Sequence, residues 1–205
     1  MKTRPFISNI ELTTDGHLSL FFIGTGNAFT KTAFQTNLLI MKGKSHILVD
    51  CGTLCSYAFE NVYNGRISDI KNLLLTHPHA DHIGGVEELA LAGKYITKRK
   101  LNIVITDVFK KALWNESLCG GIQYSEEGKM TFEDYFNQIK PVQIQKKPFE
   151  MYEADIEGIN IKIVGKIEDL KHQDYNGKRV FIDIQDSFNN YLSSKIDIGI
   201  GRAHV

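Results

Sequence analysis

Cysteine and proline are both scarce in this chain. The 205 residues include only three cysteines and four prolines. Because an odd number of irregularly spaced cysteines does not suit a disulfide framework, we expect free thiols at Cys51, Cys55 and Cys119. No long tract rich in proline or serine marks a linker, and no internal repeat is visible. The sequence therefore predicts one domain over residues 1–205.

Long apolar runs and an excess of either charge are also missing. The amino terminus lacks the apolar stretch of a signal peptide, and no segment is long enough to span a membrane, so we expect a cytoplasmic protein. Basic and acidic residues number 24 each, which gives nucleic acid no broad electrostatic attraction. The main basic cluster is better explained as a solvated helix end than as a phosphate-binding surface: Lys94, Lys98, Arg99 and Lys100.

Histidine, by contrast, is concentrated in one segment. Residues 76–85 read THPHADHIGG, hold three of the seven histidines, and directly follow the apolar run Leu73 to Leu75. Imidazole and carboxylate groups are ligands that zinc, iron and manganese accept. The segment therefore predicts a metal site made by His77, His79, Asp81 and His82.

The surrounding pattern predicts that this segment connects a strand to a helix. Lys71 to Thr76 is short and largely apolar, as a buried strand would be, and apolar residues recur at helical intervals from Ile83 onward. In such a loop one pair of side chains can converge on one ion and a second pair can face another ion: His77 with His79, and Asp81 with His82.

Two glycines follow the histidines, and the sequence leaves two interpretations of them open. Gly84 and Gly85 lack side chains, so the first helical turn can lie close to the metals and its free N–H groups can favour an anion. Alternatively, the same glycines only permit tight packing of the helix on the sheet.

The motif resembles the signature of the metallo-β-lactamase superfamily. That signature is T-H-x-H-x-D-H after an apolar strand, and other segments match as well: LFFIGTG at 20–26, TNLLI at 36–40 and ILVDCGT at 47–53. The resemblance runs from about residue 18 to residue 92. It implies an α/β protein, an αββα sandwich of two mixed sheets with a dinuclear metal centre at one edge.

The hydrophobic pattern supports a layered α/β fold independently of the resemblance. A β-rich start is followed by alternating strands and helices. We predict strands at Leu18–Ile23, Asn37–Met41, His46–Val49, Asn102–Thr106 and Ile159–Val164, and helices at Tyr57–Tyr63, Val108–Trp114 and Phe132–Gln138.

The superfamily pattern also implies ligands further along the chain. His172 follows a strand-like segment by a few residues and is the candidate third histidine. Asp186, after the predicted strand Val180 to Ile184, is the candidate bridging aspartate, although the glycine usual before it is absent. Alternatively, Lys195 to Ile200 is the next strand and the aspartate would come just beyond it. Weaker candidates are Asp174, Asp183 and Asp197.

The last residues bear on this choice. Residues 200–205, IGRAHV, resemble the translation of a common sequencing adapter. On that interpretation native sequence ends near Gly199, the last elements of the sandwich are missing, and His204 is not a ligand. We then expect His204 to lie away from the histidine cluster, and the sheet to look unfinished.

Two bound cations would define the chemistry. They lower the pKa of a bridging water and neutralise charge on a phosphoryl or acyl oxygen, so the resemblance implies a hydrolase with two zinc ions, or manganese or iron. His77, His79 and His172 would bind one ion, and Asp81 and His82 the other, with Asp186 shared and Asp81 essential for catalysis. Asp50 looks like the acid that orients the metal loop, and it can also accept backbone N–H bonds in its own turn.

Substrate class follows from the subfamily resemblance. The segments FIGTGNAF at 22–29 and LWNESLCGG at 113–121 resemble the ribonuclease Z-like phosphodiesterases, among them anti-Pycsar enzymes that hydrolyse cyclic nucleotides. The chain has no room for a tRNA-gripping arm, so a small phosphodiester is favoured over tRNA. Some aromatic side chains could stack on a base or belong to the core: Phe29, Phe34 and Trp114.

Two other classes of function stay open. A thioester or lactone hydrolase would use the same metal ligands, and a non-catalytic binding module or inactive fragment would retain fewer than two ions. A homodimer is compatible with the sequence, and no membrane partner is expected.

Overall fold

A computed structural model describes residues 9–146 and 150–164, together with the strand backbones at 180–185 and 194–198. The strands are β1 (Leu18–Gly24), β2 (Asn37–Lys42), β3 (Ser45–Val49), β4 (Asn72–Leu74), β5 (Leu101–Val104), β6 (Tyr124–Ser125), β7 (Gly128–Lys129), β8 (Phe136–Ile139), β9 (Val142–Gln145), β10 (Met151–Ile156), β11 (Ile159–Val164), β12 (Val180–Gln185) and β13 (Ser194–Ile198). The helices are α1 (Cys55–Asn61), α2 (Ala80–Ile83), α3 (Val86–Leu91), α4 (Asp107–Leu113), α5 (Cys119–Ile122) and α6 (Phe132–Tyr135). Two segments have π-helical hydrogen bonding: Ala92–Thr97 and Trp114–Leu118.

The larger sheet has six strands in the order β1-β2-β3-β4-β5-β8. Strands β1 to β3 are antiparallel neighbours, whereas β3, β4, β5 and β8 run parallel to one another. The second sheet has the order β13-β12-β11-β10-β9, and every described pair in it is antiparallel. The prediction of an α/β fold with two sheets is therefore confirmed, with the mixed pattern present in the six-stranded sheet.

The core lies on and between these sheets. The central strands are continuous apolar runs because both of their faces are covered, as is usual for parallel strands. Leu39, Leu48, Leu73 and Ile103 all have no solvent exposure. In β10 and β11 only alternate side chains are buried, which is the pattern of a sheet with one covered face: Tyr152, Ala154, Ile156, Ile159, Ile161 and Ile163.

Most predicted elements lie within two residues of the observed ones, but one prediction was wrong. The segment Phe132–Gln138 is helical only as far as Tyr135, and Phe136 then adopts an extended backbone with φ −127°. Thr131 begins the short helix through a capping box with Asp134. The rest of the segment becomes β8, because hydrogen bonding to β5 overrides a weak local helical pattern. Strands β6, β7, β9 and β10 were not predicted.

The two ends of the parallel strands have different surroundings. At the amino-terminal end, the β10–β11 turn packs against the sheet: Ser45 Oγ donates to the carbonyl of Glu157 at 2.9 Å, and Asn72 Nδ2 lies 3.3 Å from Glu157 Oε2. At the carboxyl-terminal end, Asp50 follows β3 and Thr76 lies just beyond β4. Polar side chains at the carboxyl ends of parallel strands are the usual setting of a functional site in α/β proteins.

Within the described part of the chain, no helix combines the length and the apolar character needed to cross a bilayer.

Candidate metal centre

The predicted connection from strand to helix is present. Strand β4 ends at Leu74, residues 75–79 form a loop, and α2 begins at Ala80. Pro78 disfavours a helical backbone at His77, so the loop stays extended until the helix starts. The helix stops after one turn at Gly84, and α3 begins at Val86.

The four motif side chains lie together at this edge of the sheet. His77 Nε2 is 3.2 Å from His79 Nδ1, and the ring centroids of His77 and His82 are 3.9 Å apart. His82 Nε2 is 3.3 Å from Asp81 Oδ2. The donors therefore form two pairs, His77 with His79 and Asp81 with His82.

These separations fit the proposed ions. Two ligand atoms at 2.0–2.1 Å from a tetrahedral zinc ion lie about 3.3 Å apart, and the two pairs have separations of 3.2 and 3.3 Å. Among the described residues, however, no group of three or more His, Cys, Asp and Glu side chains could hold an ion. Each ion would therefore need a further ligand from elsewhere in the chain.

Asp50 connects the two parts of the motif. It is buried, and its Oδ1 accepts the backbone N–H of Thr76 at 2.8 Å. Its Oδ2 accepts the Thr76 hydroxyl at 2.7 Å and lies 2.6 Å from His82 Nδ1. With Nδ1 of His82 engaged by this carboxylate, Nε2 is directed towards Asp81, which is the arrangement that orients an imidazole for a metal.

The backbone at Asp50 has φ 62°, in the left-handed region that costs free energy for most residues and that aspartate tolerates better than most. The turn after it is held from another strand: Asn37, fully buried in β2, accepts the Gly52 N–H through Oδ1 at 2.8 Å. Sequence reasoning missed Asn37, and its only signal was a buried polar residue at the start of an apolar strand.

Burial sets the protonation of the cluster. Desolvation, together with the nearby His82 and His79, lowers the pKa of His77 to about 3, so this ring is neutral at physiological pH and able to act as a ligand. Burial also lowers the pKa of His82, but the hydrogen bond and charge of Asp50, with Asp81, outweigh it and the net shift is upward.

Glycines permit a close approach between the motif and the loop after β3. A Cβ at Gly52 would lie 2.1 Å from the backbone oxygen of Asp81, and one at Gly84 would lie 2.3 Å from Thr53 Cγ2. A Cβ at Gly85 would lie 2.7 Å from the oxygen of Gly52. Of the two interpretations of Gly84 and Gly85, tight packing is therefore the one that these contacts support.

The candidate ligands His172, Asp174 and Asp186 lie outside the described residues, and so does His204, which we expected to lie away from the histidine cluster. Strand β11 runs from the turn at Glu157 to Val164, and β12 pairs with it antiparallel, so that Gln185 lies opposite Asn160. Strand β13 runs back again, with Ile198 opposite Val180.

The identities of the third histidine and of the bridging aspartate stay predictions. The weaker candidates Asp183 and Asp197 lie within β12 and β13 themselves.

Other predicted residues have ordinary structural contacts. Trp114 packs against Phe132 and Tyr135, with centroids 6.4 and 6.3 Å apart. Cys51 and Cys55 are buried free thiols of the core. In the basic cluster, Arg99 donates to the carbonyl groups of Ser68 and Ile70. Lys94 forms an ion pair with Glu127 at 2.9 Å. Both contacts stabilise the local fold, which agrees with the prediction of a helix end.

A six-stranded mixed sheet together with a second, five-stranded sheet, and a histidine motif after β4, defines a protein with the metallo-β-lactamase fold. Solved structures agree. The metallo-β-lactamase fold protein YhfI from Bacillus subtilis superposes with a TM-score of 0.55 at 16% identity, over 82% of this chain and 57% of that one. Human tRNase Z, short form, gives a TM-score of 0.51 at 14% identity, over 82% of this chain and 64% of that one. At these identities the likeness concerns the fold alone.

The chain belongs to the family of the anti-Pycsar protein Apyc1, whose family model matches residues 18–186. The Apyc1 protein of Bacillus phage vB_BsuM-Goe3 is 34% identical over 119 residues, which are 57% of this chain and 46% of the relative. The Apyc1 protein of Paenibacillus xerothermodurans is 34% identical over 122 residues, 60% of this chain and 48% of the relative. The matched part thus spans about half the length of these curated relatives.

Proposed function

We propose that this protein is a metal-dependent phosphodiesterase that hydrolyses a small cyclic nucleotide. The observation that carries the proposal is the cluster after β4, in which two pairs of donor atoms lie at the separation of ligands on a common ion. Membership of the Apyc1 family and the fold agree with a hydrolase. The cyclic nucleotide is the substrate class implied by the subfamily resemblance.

The residues would divide the work in the following way. His77 and His79 would hold one zinc ion, and Asp81 and His82 the second. The candidates for the further ligands are His172 and Asp186, which lie outside the described residues. When bound, such ions lower the pKa of a water molecule and neutralise charge on a phosphoryl oxygen. Asp50 would keep the His82 ring and the loop at Thr76 in place through its three hydrogen bonds.

Two of the four motif side chains are buried. His77 is 1% exposed and His82 8% exposed, so these rings lie against the core, whereas His79 is exposed and Asp81 half-buried. Low exposure strengthens the electrostatic interaction between a bound ion and a substrate anion. The direction of the pKa shift at His77 keeps a lone pair available for an ion in neutral solution.

The experiment combines elemental analysis with an assay of cyclic nucleotides and bis-p-nitrophenyl phosphate. Asp81→Ala should remove one ion per chain and abolish phosphodiesterase activity without unfolding the protein. Asp155→Ala is the matched control, because Asp155 is exposed in the β10–β11 region at the opposite edge of the sheet. Wild-type protein that binds two ions but cleaves only thioesters or lactones would contradict the phosphodiesterase assignment, as would full activity of the Asp81 variant.

A further inference from the structure

The loop between β1 and β2, residues 25–36, has a defined conformation. Its two ends are joined by backbone hydrogen bonds from Gly26 to the oxygen of Phe34 at 2.7 Å, and from Thr36 to the oxygen of Gly26 at 3.0 Å. Near its tip, Asn27 Oδ1 accepts the Phe29 N–H at 3.0 Å, an Asx turn. These hydrogen bonds therefore fix the conformation of the loop.

The same loop is attached to the candidate metal centre. Gln35, only 6% exposed, donates through Nε2 to Thr53 Oγ1 at 2.9 Å, and its Oε1 accepts the Leu54 N–H at 3.1 Å. A Cβ at Gly52 would lie 2.6 Å from Gln35 Oε1 and 2.1 Å from the oxygen of Asp81. Gly52 thus lies against both the base of the loop and the backbone of a proposed metal ligand.

The loop presents aromatic rings in a strained setting. Phe29 is 71% exposed, an unusual state for a phenylalanine on an ordered loop. Phe34 has φ 50°, a left-handed conformation that is rare and costly for a bulky side chain, and its ring lies 6.3 Å from that of the exposed Tyr57. Strain of this kind persists where the surroundings hold it, and it concentrates at sites that bind ligands.

We propose that the loop at residues 25–36 binds the nucleobase of the substrate, with the ring of Phe29 stacked on the base and Phe34 holding the loop in position. A nucleobase is planar, largely apolar on its faces and stacks on aromatic rings without sequence preference. The loop adjoins the cluster that would hold the phosphodiester, so one cyclic nucleotide could contact both. This inference rests on the proposed function for the substrate class, and Phe29 is a binding residue in it.

Binding is measured first without metal, so that the result does not depend on catalysis. Wild type, Phe29→Ala and Phe29→Trp are treated with a chelator and titrated by equilibrium dialysis with the 3′,5′-cyclic nucleotides of adenine, guanine, cytosine and uracil. Tyr124→Ala is the matched control, since Tyr124 is 72% exposed on the β6–β7 hairpin. We expect Phe29→Ala to weaken binding about 5- to 100-fold, Phe29→Trp to restore it, and Tyr124→Ala to leave it unchanged.

Kinetics with the metal-loaded protein provide the second measurement. Phe29→Ala should raise KM for the cyclic nucleotides by a similar factor, while turnover of a cyclic ribose phosphate that carries a methyl group instead of the base should not change. Equal affinities for wild type and Phe29→Ala, or no saturable binding by wild type, would overturn the base site. If the metal-loaded wild type binds cyclic nucleotides but hydrolyses no phosphodiester, the proposed function fails while the base site stands.

Discussion

Acid should destabilise this protein through His46, a residue remote from the candidate metal centre. His46 lies in β3 with 2% exposure, and its Nε2 accepts the backbone N–H of Lys71 at 3.0 Å. Burial, followed by the positive charge of Lys71, lowers the pKa of His46 from 6.5 to about 4, although Glu157 opposes this shift. Protonation would both charge a buried ring and remove its acceptor lone pair, so the folded state favours the neutral form.

The sign and size of the effect follow from linkage. Because the unfolded chain binds a proton more tightly than the folded one, the contribution of His46 is fully present above pH 6.5 and decreases as the pH falls towards 4. The difference between the two pKa values reduces the free energy of unfolding by about 3 kcal/mol once the pH is below both of them. At pH 5 the reduction is roughly 2 kcal/mol. That is a large fraction of the stability of a typical domain.

Urea denaturation of wild type and His46→Gln at pH 7.5, 6 and 5, with chelator present, measures this contribution. Glutamine can accept the Lys71 N–H through its amide oxygen but does not titrate. Between pH 7.5 and pH 5 the wild type should lose about 2 kcal/mol more free energy of unfolding than the variant. His17→Gln, at an exposed histidine, should behave as wild type. Equal losses in wild type and His46→Gln would refute the argument.

Two further predictions concern the loops that hold the candidate metal centre. Asp50→Asn removes the charge beside His82 and weakens the hydrogen bond that orients the His82 ring. Metal affinity, measured by competition with a chelating dye, should therefore fall about 10- to 100-fold. An affinity equal to that of wild type would show that Asp50 acts only on the backbone. Gly52→Ala places a methyl group against the backbone of Asp81 and should reduce the free energy of unfolding, measured in urea, by about 1–3 kcal/mol. Gly120→Ala is the control. A Cβ at Gly120 would meet nothing within 4 Å, so this variant should not destabilise the fold. A Gly52 variant as stable as wild type would contradict the close packing.

The central part of the fold could be predicted because the relevant signals are local. Strands β2, β3 and β4 are short apolar runs with polar boundaries, and their period and length distinguish them without knowledge of their neighbours. Strand β8 could not be distinguished in this way, since Phe136 continues a helical pattern and only its hydrogen bonds to β5 extend it. Strand β9 is only four residues long, too short for its alternation of apolar and polar residues to identify it, and its Val142 and Ile144 are exposed.

The sequence by itself determined which chemical groups lie after β4. Three imidazoles and a carboxylate within six positions must lie close together in space, because the chain between them is too short to separate them. Only the tertiary structure decided what surrounds that loop. Asp50 comes from the turn after β3, and Asn37 comes from β2. Contacts between distant segments depend on how strands pair across the whole sheet, and no local periodicity records that pairing.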